Sequence, residues 1–440
     1  MTMFAFEGVG VATAMPTVAL ALGGQASYAW AFNAYLLASL VGMVLAGEWC
    51  DARGPRQSII AAVVLFGTGA LVSGAAWSMP VLIGGRFIEG LGGGLGIVSI
   101  YVVLGRGFDD DIRPRAFALL AAAWVVPSIV GPFVAGYLAD SVSWRWVFWV
   151  ATIFVVPPAV LLAPRLGRLN SVGPVAAGAR ASGSRRLRLA LVAAAGLALL
   201  QEGGTVQGWI GLVLAAVGLA LLGPALVRLL PPGTLRFARG LPTVVMLRGL
   251  LAGAFIGGEA FIPLALQEVR GLTPTQAGLI LTSGAIGWAT GAQIQSRRYQ
   301  AWGPIRLLQA GSGCVVGGLV TMPFCLTTLP PWVAVFSWTL TAIGMGMSFG
   351  TLGNQTLTLS TSEDQGSNSA ALQICDSVGS VVLLAMAGTI YTAAHTRGSV
   401  SAGTFDLIWL TMAGAGVIAA ITCSRMRVQP TAPTPITAAT

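Results

Sequence analysis

The chain has 440 residues, 55% of them hydrophobic and only 9% charged, with a mean hydropathy of +0.81. A soluble domain carries about 25% charged residues, so a water-facing surface over the whole molecule is excluded. The net charge of +9 rests on arginine alone, lysine being absent, and most arginines fall in alternate loops. That is the positive-inside pattern of cytoplasmic loops and not a nucleic-acid footprint.

Apolar runs recur along the chain, each near the roughly 20 residues that a helix needs to cross the hydrocarbon core. The first six expected spans are Thr2–Leu22, Ala29–Trp49, Ser58–Trp77, Val81–Leu104, Phe117–Leu138 and Trp146–Ala163. The first lacks a charged start and is expected to be a span, not a cleaved signal. A stretch rich in Gly, Ser and Arg, Pro164–Arg188, reads as a flexible cytoplasmic linker. Two central spans follow, Leu189–Leu200 and Trp209–Val227, separated by the polar run Gln201–Gln207. The basic loops on either side, Arg165–Arg188 and Arg228–Arg239, require an even number of crossings between them. The last six spans are Val244–Leu266, Ala277–Gln295, Leu307–Leu326, Trp332–Gly350, Ala370–Ala393 and Phe405–Cys423. The expected organisation is therefore all-α and membrane-spanning, with 14 spans and both termini cytoplasmic. A six-helix bundle covers 1–163, the linker 164–188, two extra spans 189–230, a second bundle 231–424 and a disordered tail 425–440.

Several chemistries drop out on residue types alone. The five cysteines (Cys50, Cys314, Cys325, Cys375, Cys423) are scattered, and His395 is the only histidine. Neither a disulfide framework nor a Cys/His metal site is expected. A nucleotide-binding loop ending G-K-(S/T) needs a lysine that the chain does not have. An enzyme, an ATP-driven pump and a bound cofactor are all unexpected.

Between spans two and three the residues Gly47 to Arg56 read GEWCDARGPR. They resemble the loop signature G-x-x-x-D-(R/K)-x-G-x-(R/K) of the major facilitator superfamily, on Gly47, Asp51, Arg53, Gly54 and Arg56. Ala52 departs from it. Span four carries RFIEGLGGG from Arg86 to Gly94, similar to that superfamily's R-x-x-Q-G signature, with Glu89 in place of Gln. The resemblance associates this signature with proton coupling; an ion pair of structural purpose is the alternative. Span five holds Gly131, Pro132 and Gly136 in PSIVGPFVAG, resembling the antiporter motif G-x-x-x-G-P-x-x-G-G of exporters. Glu7 to Pro16 is similar to the first-span pattern D-x-T-x-x-x-x-A-x-P of the fourteen-span drug:proton antiporters. The WRWVFW run from Trp144 to Trp149 resembles their entry to span six. The second-half counterpart of the loop signature, Gly291 to Arg298, has basic residues but no Asp.

Coupling needs a carboxyl that gains and loses a proton. Burial disfavours the anion and a nearby arginine favours it. Ionisable groups inside spans are functional candidates, and Glu7, Arg86, Glu89, Glu259 and Asp376 are the candidates for proton coupling. A position at the cytoplasmic rim is the alternative for Glu7. The acids Asp109, Asp110 and Asp111 fall in a cytoplasmic loop and are expected to be solvated. Trp30, Asn33, Tyr35, Trp124, Phe261, Gln293, Asn354 and Gln373 are candidates to line an amphipathic cavity, with helix packing the alternative for each. The resemblance implies a monomeric, proton-coupled exporter of hydrophobic or amphipathic compounds in a bacterial inner membrane. Its partners are then the substrate, protons and lipid, with no nucleic acid. Export of one physiological molecule and a transport-inactive membrane sensor stay open as alternatives.

Overall fold

The computed structural model describes residues 2–107, 113–153, 155, 177–206, 208–361 and 364–427. In hydrocarbon a backbone must satisfy its own N–H and C=O groups, and a helix does so locally. Among the described residues every regular element is helical. In order these are α1 (Thr2–Ala21), α2 (Tyr28–Arg53), α3 (Pro55–Gly74), α4 (Met79–Gly107), α5 (Arg113–Tyr137) and α6 (145–153). Then come α7 (Ala177–Thr205), α8 (Trp209–Leu229), α9 (Leu241–Arg270), α10 (Pro274–Thr327), α11 (Val333–Thr358), α12 (Gln365–Thr396) and α13 (Ala402–Thr422). Ten helices among the described residues are long and apolar enough to cross a membrane. The protein is therefore a multi-pass membrane protein.

Two expected boundaries move, each for a physical reason. The helix α7 begins at Ala177 and runs through Thr205, so the expected linker is helical from 177 and the expected polar turn is not a turn at Gln201. Gln201 is buried and accepts a hydrogen bond from Asn33 on α2 at 2.6 Å. A polar side chain with a partner is tolerated inside a span, and the helix continues. The two spans expected between Ala277 and Leu326 are the two arms of α10, which together make 54 residues. A straight helix of that length would reach about 80 Å, far beyond a bilayer. It turns back at Gly303, whose φ of 70° only glycine adopts without strain, followed by Pro304. Both arms consequently pack on α11, the first through Gly287 against Thr339 and the second through Gly318 against Ser337. The start of α10 is fixed by a capping box, Thr273 accepting from the Gln276 amide while Gln276 accepts from the Thr273 N–H.

Helix α4 inserts between α2 and α3 because its contact positions carry no side chain. A Cβ on Gly90 would strike the Tyr35 carbonyl of α2, and one on Gly92 the Phe66 amide of α3. Close approach of this kind is how helices associate where lipid supplies no hydrophobic drive. The helix pair α7–α8 packs in the same way, Gly196 meeting Gly218, and α7 lies against both α2 and α12. The two ends of the molecule differ in charge. One carries the α1–α2 corner at Tyr28, and the other carries Arg53, Arg56, Arg228, Arg236, Arg297, Arg298 and Arg425.

Candidate functional site

Helices α1, α2 and α4 converge on one buried charge cluster. Arg86 is 3% exposed, Glu7 1% and Glu89 0%. The guanidinium Nη1 donates to Glu89 Oε2 at 2.9 Å, one helical turn away, and forms an ion pair with Glu7 of α1. Its Nε donates to the Ala31 carbonyl at 3.0 Å, and its plane lies 4.6 Å from the centre of the Tyr35 ring. Arginine suits this position because its planar fork serves several acceptors at once. Glu7 Oε2 and Glu89 Oε1 are buried and accept no hydrogen bond. With both carboxylates ionised the cluster carries one net negative charge, and a single proton on either makes it neutral. The cluster thus unites three of the candidates for proton coupling, and Glu7 is buried among the helices.

The remaining two acids behave differently. Asp376 of α12 is paired with Arg248 of α9, whose guanidinium also donates to the Phe349 carbonyl and lies 3.1 Å from the centre of that ring. Arg248 joins the candidate residues; the sequence reasoning missed it, although an arginine inside the span Val244–Leu266 was signal enough to find it. Glu259 is half-buried and makes no ion pair among the described residues. It lies on the Arg248 face of α9, about three turns further on. Between them Phe255 stacks on Trp338 with centroids 4.7 Å apart and meets Trp288 edge-on at 5.3 Å. Trp288 in turn contacts Phe349. This aromatic wall in the second half joins the two ionisable positions, and nothing in the sequence singles out its members.

Of the expected cavity residues, Tyr35 belongs to the Arg86 cluster. Trp30 and Asn33 instead tie helices together. Trp30 Nε1 donates to Glu202 Oε2 at 3.0 Å, and Asn33 Nδ2 donates to Gln201 Oε1 and to the Val381 carbonyl of α12. They bind α7 to α2 and α12. Phe261 is fully buried between Tyr28 and Tyr391, so it packs the core and lines no cavity. Asn354 and Gln373 are exposed, and so is Gln293 on α10. The Trp124 side chain and residues Asp109, Asp110 and Asp111 lie outside the described residues. The α7 contacts yield a direct prediction. Asn33→Ala leaves the buried Gln201 amide without its partner, which costs about 1–3 kcal/mol. The unfolding midpoint of the purified protein should fall, and Asn33→Ala with Gln201→Leu should recover part of the loss.

The loop between α2 and α3 is Gly54 alone, with φ of 79°, and Pro55 starts the next helix. The tight turn belongs to Gly54 and not to Gly47, which lies inside α2 with open space around it. Arg53 and Arg56 are exposed, and the Asp51 side chain lies outside the described residues. The antiporter-like segment of α5 packs on two helices. A Cβ on Gly131 would meet Val9 of α1 at 3.2 Å, and one on Gly136 the Pro274 carbonyl of α10 at 2.6 Å. Pro132 approaches Gly278 of α10, and Thr275 donates to Asp140 Oδ2 at 3.1 Å. A second seam runs beside Tyr28, whose hydroxyl donates to the Ala260 carbonyl at 2.6 Å. There Thr392 donates to the Ala26 carbonyl at 2.8 Å, and Gly388 touches Ala29. Both seams join the first half to the second at the Tyr28 end. The WRWVFW run fixes α6 to α3, with Arg145 donating to the Ala76 carbonyl at 3.0 Å and Trp149 against Gly74.

The sequence pattern that defines the Major Facilitator Superfamily matches residues 1–384. The chain belongs to that superfamily. An uncharacterized MFS-type transporter of Mycobacterium tuberculosis is 31% identical over 294 residues, 63% of this chain and 41% of the relative's own length. This chain therefore spans less than half of that relative. The multidrug transporter protein MdtP of Bacillus subtilis is 25% identical over 407 residues, covering 89% of this chain and 74% of MdtP. A crystal structure of a peptide transporter, POT, superposes with a TM-score of 0.67 at 14% identity, over 97% of this chain and 94% of that one. At that identity the likeness shows the fold. Both of these relatives are transporters by name, and neither is an enzyme.

Proposed function

We propose that this superfamily member exports hydrophobic or amphipathic compounds across a bacterial inner membrane in exchange for protons. The observation that carries the reading is the Glu7–Arg86–Glu89 cluster, two buried carboxylates sharing one guanidinium with a carboxylate oxygen left unbonded on each. Taking up a proton there changes which carboxylate Arg86 holds, and so changes how α1 is tied to α4. The aromatic wall of Phe255, Trp288 and Phe349 beside the half-buried Glu259 suits an amphipathic substrate.

In this reading there are 14 spans: α1 to α6, the pair α7–α8, α9, the two arms of α10, and α11 to α13. The arginine-rich end is cytoplasmic and both termini face the cytoplasm. The two closed seams at the Tyr28 end then make this an outward-closed state. Similarity to a multidrug transporter at 25% identity supports export of varied compounds.

The test is proton release from the purified protein on adding a lipophilic cation or dye, followed by gradient-driven transport in proteoliposomes. Wild-type protein should do both. Glu7→Gln should abolish coupled transport, and substrate movement that ignores the proton gradient would remove the coupling claim.

A further inference from the structure

The first arm of α10 carries, close to its turn at Gly303, an open groove of about 750 Å³ lined by Ala289, Thr290, Gln293, Ile294, Arg297, Arg298 and Trp302. The row Thr290, Gln293 and Arg297 at its centre faces away from the protein. Trp288 points inward to Phe255 of α9, and Gly287 and Gly291 rest on α11. Arg297 follows Trp288 by nine residues, which at 100° per residue places it on the opposite side of the helix. The groove residues other than Ile294 are exposed, and Ile286, at 55% exposure, extends the apolar strip toward the middle of the span.

Two features set the arginines apart from ordinary loop charges. Neither Arg297 nor Arg298 has a carboxylate partner among the described residues, in keeping with a second-half loop segment that has lost its Asp. Each is nevertheless held in place by a neighbour on the same helix. With its amide turned, Gln293 accepts from Arg297 Nη2 at 3.0 Å and Nε at 3.2 Å. Arg298 lies 5.9 Å from the centre of the Trp302 ring. Tryptophan favours the interface between headgroups and hydrocarbon, which sets the depth of the pair. Two positioned guanidinium groups above an apolar strip match a phosphodiester with an acyl chain running below it.

We infer that this groove binds an anionic phospholipid of the inner leaflet, its phosphate between Arg297 and Arg298 and one chain along Ile294, Ala289 and Ile286. The inference rests on the reading of the arginine-rich end as cytoplasmic, and it does not require that the protein exchange protons. A lipid seated there would bear on the α10 turn and on the arm that α5 contacts through Gly136 and Gly278.

The experiment is native mass spectrometry of the full-length protein, stripped of lipid in detergent and titrated with phosphatidylglycerol or phosphatidylcholine. Wild-type protein should retain phosphatidylglycerol in preference to phosphatidylcholine. Each arginine near an anionic headgroup contributes about 1 kcal/mol. Arg297→Gln with Arg298→Gln should therefore weaken phosphatidylglycerol binding about thirtyfold. Thr290→Trp, which fills the groove at unchanged charge, should also reduce retention, whereas Arg228→Gln on α8 should not. Equal retention of the two lipids by wild-type protein, or undiminished phosphatidylglycerol on the double arginine variant, would overturn the inference. Retention without coupled transport would leave it intact and remove only the exporter reading.

Discussion

Arg86→Gln should lower both the stability and the transport of this protein more than any other single substitution. The arginine holds Glu7, Glu89 and the Ala31 carbonyl at once, and all three side chains of the cluster are buried. Removing one member of a buried ion group costs about 3–5 kcal/mol, because the charge left behind has neither water nor partner. Here two carboxyl groups would be stranded together. Yield in the membrane and the unfolding midpoint in detergent should both drop, and gradient-driven transport should fall to background. Arg86→Lys keeps the charge but offers no planar fork for Ala31 and no stacking on Tyr35, so it should recover stability in part. Removing all charge, with Arg86→Gln, Glu7→Gln and Glu89→Gln combined, should restore much of the lost stability and none of the transport. That pattern separates a proton-handling cluster from a structural brace. A triple variant that still transports against a gradient would sink the coupling role.

Much of this architecture is legible in the sequence, and the parts that are not share a cause. Composition and the spacing of apolar runs dictate spans, because hydrocarbon permits few alternatives. The Arg86–Glu89 pair is legible because residues three apart on a helix share a face. Its union with Glu7 is not, since that depends on how α1 tilts against α4. The same limit hides the roles of Trp30 and Asn33. They look like cavity residues until Glu202 and Gln201, near the end of α7, arrive as partners. Polarity at Gln201 suggests a turn for the same reason: a sequence displays a polar side chain but not the partner that satisfies it. Phe261 reads as a cavity residue because an aromatic ring in a span serves packing and ligand binding equally well. Only its neighbours Tyr28 and Tyr391 decide the matter.

The second large effect concerns the seam between α2 and α12. Ala29 and Gly388 touch across it, so a side chain added at 388 would press on the Ala29 methyl. Cysteine Cβ atoms at these two positions would start closer than the roughly 3.5–4.5 Å that a disulfide takes, so α2 and α12 must move apart slightly to admit the bond, which then holds them there. Ala29→Cys with Gly388→Cys should therefore crosslink under mild oxidation. Non-reducing electrophoresis after cleavage of the α7–α8 region would show the two halves still joined. If access alternates by parting this seam, the crosslinked protein should be unable to transport, and reductant should return activity to the level of the single variants. None of the five native cysteines forms a disulfide among the described residues, and each single cysteine variant serves as the control for their oxidation. The outcome also tests the part played by α7. Gln201 and Glu202 hold the α2 side of the seam, and Gly204 packs on Thr389 of α12, so α7 spans both sides of the joint. Loss of the Asn33–Gln201 bond should make the seam part more readily, slowing formation of the 29–388 crosslink. Full transport by the crosslinked protein would mean that this seam never parts. The motion would then have to lie along the α5–α10 seam at Gly136 and Pro274.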